Sequence, residues 1–197
     1  LDIFRPIARR APVHIFFHGG YWRLFGKQDF SYIANGVIPH DTMLVVVNYS
    51  LIPTVTMDQL VAECFSSIAW VMQNIEQYGG DPDRISISGH SAGGHLAAMM
   101  MTRAWPVSPG RQSPFESICC ISGIFELEPI RQCFLNDTLM LSEVDVVAHS
   151  PRFRQRKVSS RLCVVVGERE GDEYLRQSRE FSSAWAGEAG PVELIEM

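Results

Sequence analysis

The amino-acid sequence predicts an α/β fold, a mostly parallel sheet with helices on both faces, and three observations carry the prediction. Short apolar runs rich in Val and Ile alternate with longer segments of helical periodicity, the βαβα order that builds parallel sheets. One strand candidate, MLVVV at 43–47, is apolar without a break, as a strand covered on both faces must be. Turn residues punctuate the series, most clearly Gly79-Gly80 after a long helical segment. Right-handed crossovers then bring every strand-to-helix turn to one edge of the sheet, where open α/β sheets bind ligands.

Residues 13–17 form a first strand, followed by a glycine-rich turn and a helix over 29–37; 43–47 is the buried strand. Leu60, Cys64, Ile68, Val71 and Ile75 recur three or four apart and predict a helix over 57–78. Gly79-Gly80 stops it and Asp81-Pro82 turns the chain. A strand at 84–88 leads into a helix over 92–103. Strands at 118–121 and 162–166, a helix over 173–185 and a strand at 192–195 complete the series. Residues 106–114 (PVSPGRQSP) are too short for an interdomain linker and read as a surface loop, so 1–197 is expected to be a single domain.

Composition narrows the function classes. With 46% hydrophobic and 20% charged residues the chain reads as an ordinary globular protein rather than a disordered one. A formal net charge of −5 gives no reason to expect nucleic acid or an anionic membrane as partner. The basic run Arg152, Arg154, Arg156 and Lys157 reads as a solvated loop. No apolar stretch reaches the ~18 residues of a membrane span, and residues 1–6 run straight into strand-like sequence, so a signal peptide is not expected there. The five cysteines form no metal-type spacing and lie mostly in apolar runs, which predicts reduced thiols in a cytoplasmic protein. Neither glycine pair belongs to a phosphate loop, and no metal or other cofactor is expected. Homodimer formation is left open.

Two motifs carry chemistry. Gly89-His90-Ser91-Ala92-Gly93 fits G-x-S-x-G between a strand and a helix, the context in which a sharp turn exposes a strained serine above the sheet. The glycines remove Cβ atoms that would clash there, and the following helix puts its positive end at the hydroxyl. His18-Gly19-Gly20-Tyr21-Trp22 follows the strand at 13–17, where glycines let backbone amides approach a substrate oxyanion. The expected donors are the amides of Gly19, Gly20 and Ala92. Tyr21 and Trp22 beside them are candidates for an aromatic wall against an aryl substrate, or for packing. Met99-Met100-Met101 and Cys119-Cys120 read as core residues.

Beyond these motifs, the stretches HIFFHGGYWR (14–23), VVNYSLIP (46–53), GGDPDRISISGHSAGGHLAAMM (79–100), SGIFELEPI (122–130) and VVVGEREGDEYLRQS (164–178) resemble the kynurenine formamidase (arylformamidase) branch of the hormone-sensitive-lipase-like hydrolases. The resemblance covers nearly the whole chain, and HGGYW is its most specific signal. It implies the α/β-hydrolase fold and hydrolysis, through Ser91, of an aryl formamide such as N-formyl-kynurenine, in tryptophan breakdown. Relatives with this pattern also cleave aryl esters.

The fold places the triad acid in the turn after the strand at 162–166, with Glu168, Glu170, Asp172 and Glu173 as candidates. The resemblance aligns the catalytic Asp with Glu170, so the sequence departs to Glu; Asp172 is the competitor. In this fold the base follows the acid, yet none of His14, His18, His40, His90, His95 and His149 follows Glu170. His18 and His90 read as supports of their turns, His40 and His149 as loop residues. In the family the histidine comes shortly after the last strand, and residues 1–6 resemble the end of an early strand, so both ends are expected to be truncated. A chain without its base would be nearly inert, losing on the order of 10⁶ in kcat. A general short-chain carboxylesterase and a catalytically dead small-molecule binding module are the alternatives.

Overall fold

A computed structural model describes residues 1–187 and 189–197. Its strands are β1 (Asp2–Phe4), β2 (Ala11–Phe17), β3 (Met43–Val47), β4 (Gly80–His90), β5 (Ser117–Ile121), β6 (Arg161–Val166) and β7 (Val192–Glu196). They form one sheet in the order β1-β3-β2-β4-β5-β6-β7, with β1 antiparallel to β3 and every other pair parallel. The α-helices are α1 (Ala34–Val37), α2 (Met57–Asn74), α3 (Ala92–Met99), α4 (Glu128–Arg131), α5 (Asn136–Leu139), α6 (Glu143–His149) and α7 (Asp172–Trp185).

Local chemistry sets these elements. Thr56 and Gln59 exchange side-chain and backbone hydrogen bonds at the start of α2, and Ser142 and Asp145 do the same for α6. Gly79, at φ 90°, ends the helical run after α2 in a conformation that other residues resist. The unbroken apolarity of β3 has its expected cause. Leu44 and Val46 join Phe16 beneath α1 on one face, while Met43, Val45 and Val47 enter the main core on the other. In β5 and β6 only alternate residues are buried, so a single face of each is covered by the main core.

Four expectations need correction. The helix over 29–37 is mostly 3-10, Lys27–Ile33, followed by the single turn of α1. The strand expected at 84–88 begins earlier, at Gly80, and Asp81-Pro82 bends the chain inside it: the ladder to β2 jumps from Ala11–Gly80 to Val13–Ile85, and the Asp83 N–H donates to the Asp81 carboxylate (3.1 Å). His149 is a buried residue at the end of α6 rather than a loop residue. Arg156 is 4% exposed, not solvated: its guanidinium donates to the carbonyls of Val158 (2.9 Å), Gly190 (3.0 Å) and Ser160. Arginine is suited to that task because its five donors satisfy several carbonyls at once.

Candidate functional site

The sheet brings the C-terminal ends of β2, β4, β5 and β6 to one edge, and each is followed by a residue of interest: the His18–Trp22 turn, Ser91, Ser122 and Glu170. Ser91 sits between β4 and α3 with φ 56° and ψ −119°, a strained backbone for a residue with a side chain. Its N–H donates to the Ile121 carbonyl (2.8 Å) and its carbonyl accepts from His95 (3.1 Å). Glycine is required on either side by contact: a Cβ on Gly89 would collide with the Gly93 carbonyl, and one on Gly93 with the Phe17 carbonyl. All eight residues of α3 are buried. Ala92 is its first residue, so the Ala92 N–H has no acceptor within the helix.

The His18–Trp22 turn lies against Ser91. A Cβ built on Gly19 would stand 3.3 Å from that of Ser91 and 2.9 Å from the His90 carbonyl. Gly20 (φ 115°), Tyr21 (φ 47°) and Trp22 (φ 58°) are all left-handed. That curl swings the two aromatic side chains apart. Trp22 goes into the core, fully buried, and donates its indole N–H to Nδ1 of His95 (3.1 Å). Of the two roles open to it, a wall against substrate or packing, Trp22 takes the second, as a strut inside the protein. Nδ1 of His95 therefore accepts, Nε2 carries the proton and donates to the His149 carbonyl (2.7 Å), and burial pushes the pKa down to about 3. His18 stacks between Phe30 and Tyr49 at 5.5 and 4.2 Å, and the Tyr49 hydroxyl donates to the His18 carbonyl (2.7 Å).

Tyr21 turns the other way. Its hydroxyl is 2.9 Å from that of Tyr174, on the first turns of α7. Burial, then the bond to Tyr21, raises the Tyr174 phenol above the ordinary range, so it stays protonated. Tyr174 carries no motif of its own; its signal was its place in the GEREGDEYLRQS stretch, four residues past Glu170.

Glu170 is half-buried and takes a 2.6 Å hydrogen bond from the Ser122 hydroxyl and a 3.0 Å bond from the Gly167 amide, both on Oε1. Ser122 is itself left-handed (φ 48°), at the end of the strand beside β4. Asp172, the competing acid, is exposed at the start of α7, where a carboxylate suits the positive helix end. Glu168 and Glu173 are exposed as well. Among the described residues no histidine bonds to Ser91 or Glu170: His14 lies within β2 against Ser86 and Ser88, His40 and His90 are exposed, and His18, His95 and His149 are buried.

This row of turns on a parallel sheet has counterparts among known proteins. Residues 1–120, more than half of the chain, match the BD-FAE family model. The chain belongs to the BD-FAE family. The matched span includes both the His18–Trp22 turn and Ser91, whereas Ser122, Glu170 and Tyr174 lie outside it. The resemblance to kynurenine formamidases is borne out by 34% identity over 194 residues to that of Danio rerio, covering 93% of the chain and 64% of the relative. The chain thus spans a little under two thirds of that relative's length. It is also 41% identical over 122 residues to the esterase LipQ of Mycobacterium tuberculosis, covering 59% of the chain and 28% of LipQ. Among solved structures, the Pyrobaculum calidifontis esterase matches with a TM-score of 0.82 at 18% identity, covering 99% of the chain and 70% of that structure. The fold is the α/β-hydrolase fold.

Proposed function

We propose that the chain is the core of a serine hydrolase that cleaves an aryl formamide, such as N-formyl-kynurenine, or an aryl ester through an acyl-enzyme on Ser91. The observation that carries this reading is the strained Ser91 turn pressed against Gly19, with Ser122 and Glu170 on the next two strands. A base takes the hydroxyl proton as Ser91 Oγ attacks the carbonyl carbon; the amides of Gly19, Gly20 and Ala92 receive the oxyanion that forms; the protonated base returns the proton to the leaving amine or phenol; and water, deprotonated by the same base, releases the acyl group as the acid and restores the Ser91 hydroxyl. Glu170 is the triad acid that would orient an imidazole and stabilise its charged form. That imidazole is a role none of the six histidines takes in this arrangement. A small acyl compound is the partner, and five free thiols suit a reducing, cytoplasmic setting.

The test is acyl transfer from p-nitrophenyl acetate and N-formyl-kynurenine, with mass spectrometry of the peptide carrying Ser91 and with imidazole added as an external base. Acylation should map to Ser91, rise with imidazole and vanish in Ser91→Ala. With a base in place, Glu170→Gln should cost on the order of 10⁴ in rate, whereas Asp172→Asn should stay within about twofold of wild type, as a solvated side chain does. Acylation elsewhere, or undiminished in Ser91→Ala, sinks the hydrolase reading. A crippled Asp172→Asn beside a healthy Glu170→Gln transfers the acid role to Asp172. Equal rates on ethyl and aryl esters favour the general carboxylesterase, and binding without acylation favours the binding module.

A further inference from the structure

A cavity of about 670 Å³ opens at the end of α3 remote from Ser91, between α2, α6 and the residues that follow α3. Ser91 precedes the first residue of α3, whereas Met99, the last, lines the cavity, so the two stand about 12 Å apart along the helix. Part of the wall is apolar, made by Val61, Ala62, Phe65, Met99 and Ala148. The rest carries charge. Arg103 and Arg154 both line the cavity, and neither guanidinium has a hydrogen bond or a carboxylate partner among the described residues. Arg103 lies over the Phe65 and Trp105 rings instead, at 5.3 and 5.4 Å. His149, 5% exposed, is also on the wall. Its Nδ1 has no hydrogen-bond partner among the described residues, and its Nε2 meets the Asp58 carboxylate at 2.6 Å. Asp58 is itself 78% exposed at the side chain, a surface carboxylate bent over a buried imidazole. Burial lowers the His149 pKa, so the ring is neutral at pH 7 and offers a single N–H. Two guanidinium charges against one carboxylate leave the wall net positive.

We infer that this cavity is a second small-molecule site, separate from the Ser91 edge, for a monocarboxylate that carries an apolar body. The ligand carboxylate replaces Asp58 at the imidazole N–H and pairs with the two guanidinium groups, for which a planar carboxylate is a matched acceptor. The apolar body lies against Phe65, Met99 and Ala148. A monoanion fits because the wall has one net positive charge to offer; a dianion would bring its second charge up against Asp58. The volume is within the range of small-molecule sites. The site does not need Ser91 to be the nucleophile, but it is tied to that edge through His149. The His149 carbonyl accepts from Nε2 of His95 (2.7 Å), and the His95 backbone N–H donates to the Ser91 carbonyl (3.1 Å).

The probes are 4-phenylbutyrate, its uncharged amide 4-phenylbutanamide, and 3-phenylpropyl phosphate, with binding read by calorimetry at pH 7 on the wild-type chain and on Ser91→Ala. The carboxylate should bind about tenfold more tightly than the amide, and equally in both proteins. The phosphate should bind no better than the carboxylate. Replacing both arginines, Arg103→Gln with Arg154→Gln, should weaken carboxylate binding by about tenfold or more, whereas Asp58→Asn should tighten it by about threefold, because the competing carboxylate is gone. Folding of each variant is checked by its thermal melt. If the double variant does not fold, Ala148→Glu sets a permanent carboxylate in the cavity and should abolish binding. Equal binding of carboxylate and amide overturns the inference, as does unchanged affinity in the folded double variant or in Ala148→Glu, or weaker binding in Asp58→Asn. Tighter binding of the phosphate overturns the assignment to a monocarboxylate. Ser91 acylation by p-nitrophenyl acetate keeps this reading apart from the hydrolase: binding without acylation removes the hydrolase and leaves the site, and acylation without binding does the reverse.

Discussion

The two turns that meet at Ser91 are built by opposite means. The Ser91 turn is held by backbone against backbone: Gly89 on Gly93, Gly93 on Phe17, and Gly94 within 2.9 Å of the Gly123 Cα where a Cβ would be. The His18–Trp22 turn is held by side chains that reach far along the chain, Trp22 to His95, Tyr49 to His18 and Tyr21 to Tyr174. A backbone contact has no slack, because neither partner can change rotamer to make room. A side-chain strut can be shortened or rotated, so its loss weakens the turn by degrees. The first turn should therefore fail all at once and the second gradually.

The sharpest way to break this contrast is Gly93→Ala. A methyl group there meets the Phe17 carbonyl, and the cost should exceed about 3 kcal/mol in urea denaturation, with Ser91 labelling lost in any protein that folds. Gly36→Ala is the control, because its Cβ meets nothing within 4 Å and it lies in α1, where alanine should add about 0.5–1 kcal/mol. A mild effect at Gly93 would show that the backbone contact has slack after all.

The side-chain turn can be probed through acid. His95 is fully buried and its folded pKa lies near 3, below the ~6.5 of an unfolded histidine. The unfolded chain therefore binds a proton that the folded one refuses. The stability that His95 contributes is complete above pH 6.5 and is lost as pH falls from there toward 3. Between pH 7 and pH 5 the loss from this group should be about 2 kcal/mol. His95→Gln, with an amide that can serve both neighbours, should show a flatter pH dependence of the urea midpoint; an identical slope would acquit His95. The smallest of these effects belongs to Tyr49→Phe, which removes the 2.7 Å bond to the His18 carbonyl and should cost about 1 kcal/mol while leaving Ser91 labelling detectable.

The same contrast explains what could be read in advance. The Ser91 turn is legible because its requirement is local, glycines at fixed offsets between a strand and a helix. The parallel sheet is legible because unbroken apolarity, as in β3, and 3.6-residue periodicity, as in α2, are properties of contiguous residues. Trp22 is adjacent in sequence to the Gly19-Gly20 pair, yet its direction depends on left-handed backbone at 21 and 22 and on a partner 73 residues away. Arg156 looked solvated because it lies in a run of charges, but its acceptors include Gly190, 34 residues on. Tyr174 and Ser122 matter only through neighbours brought by other strands. Side-chain reach across the fold leaves no period or spacing behind.

The left-handed residues also have a consequence for stability. Tyr21, Trp22, Ser91 and Ser122 all carry positive φ with a Cβ in place, and all four gather at the one edge of the sheet that holds the candidate site. Each such residue stores on the order of 1 kcal/mol that a glycine would release, so this edge is where the chain is less stable than it needs to be. Ser122→Gly makes this measurable against Ser122→Ala: both lose the 2.6 Å bond to Glu170, and the glycine variant should melt a degree or more above the alanine one, on the order of 1 kcal/mol, because it alone relieves the left-handed strain. The serine at this left-handed position gives up that strain energy to hold the Glu170 carboxylate in one place.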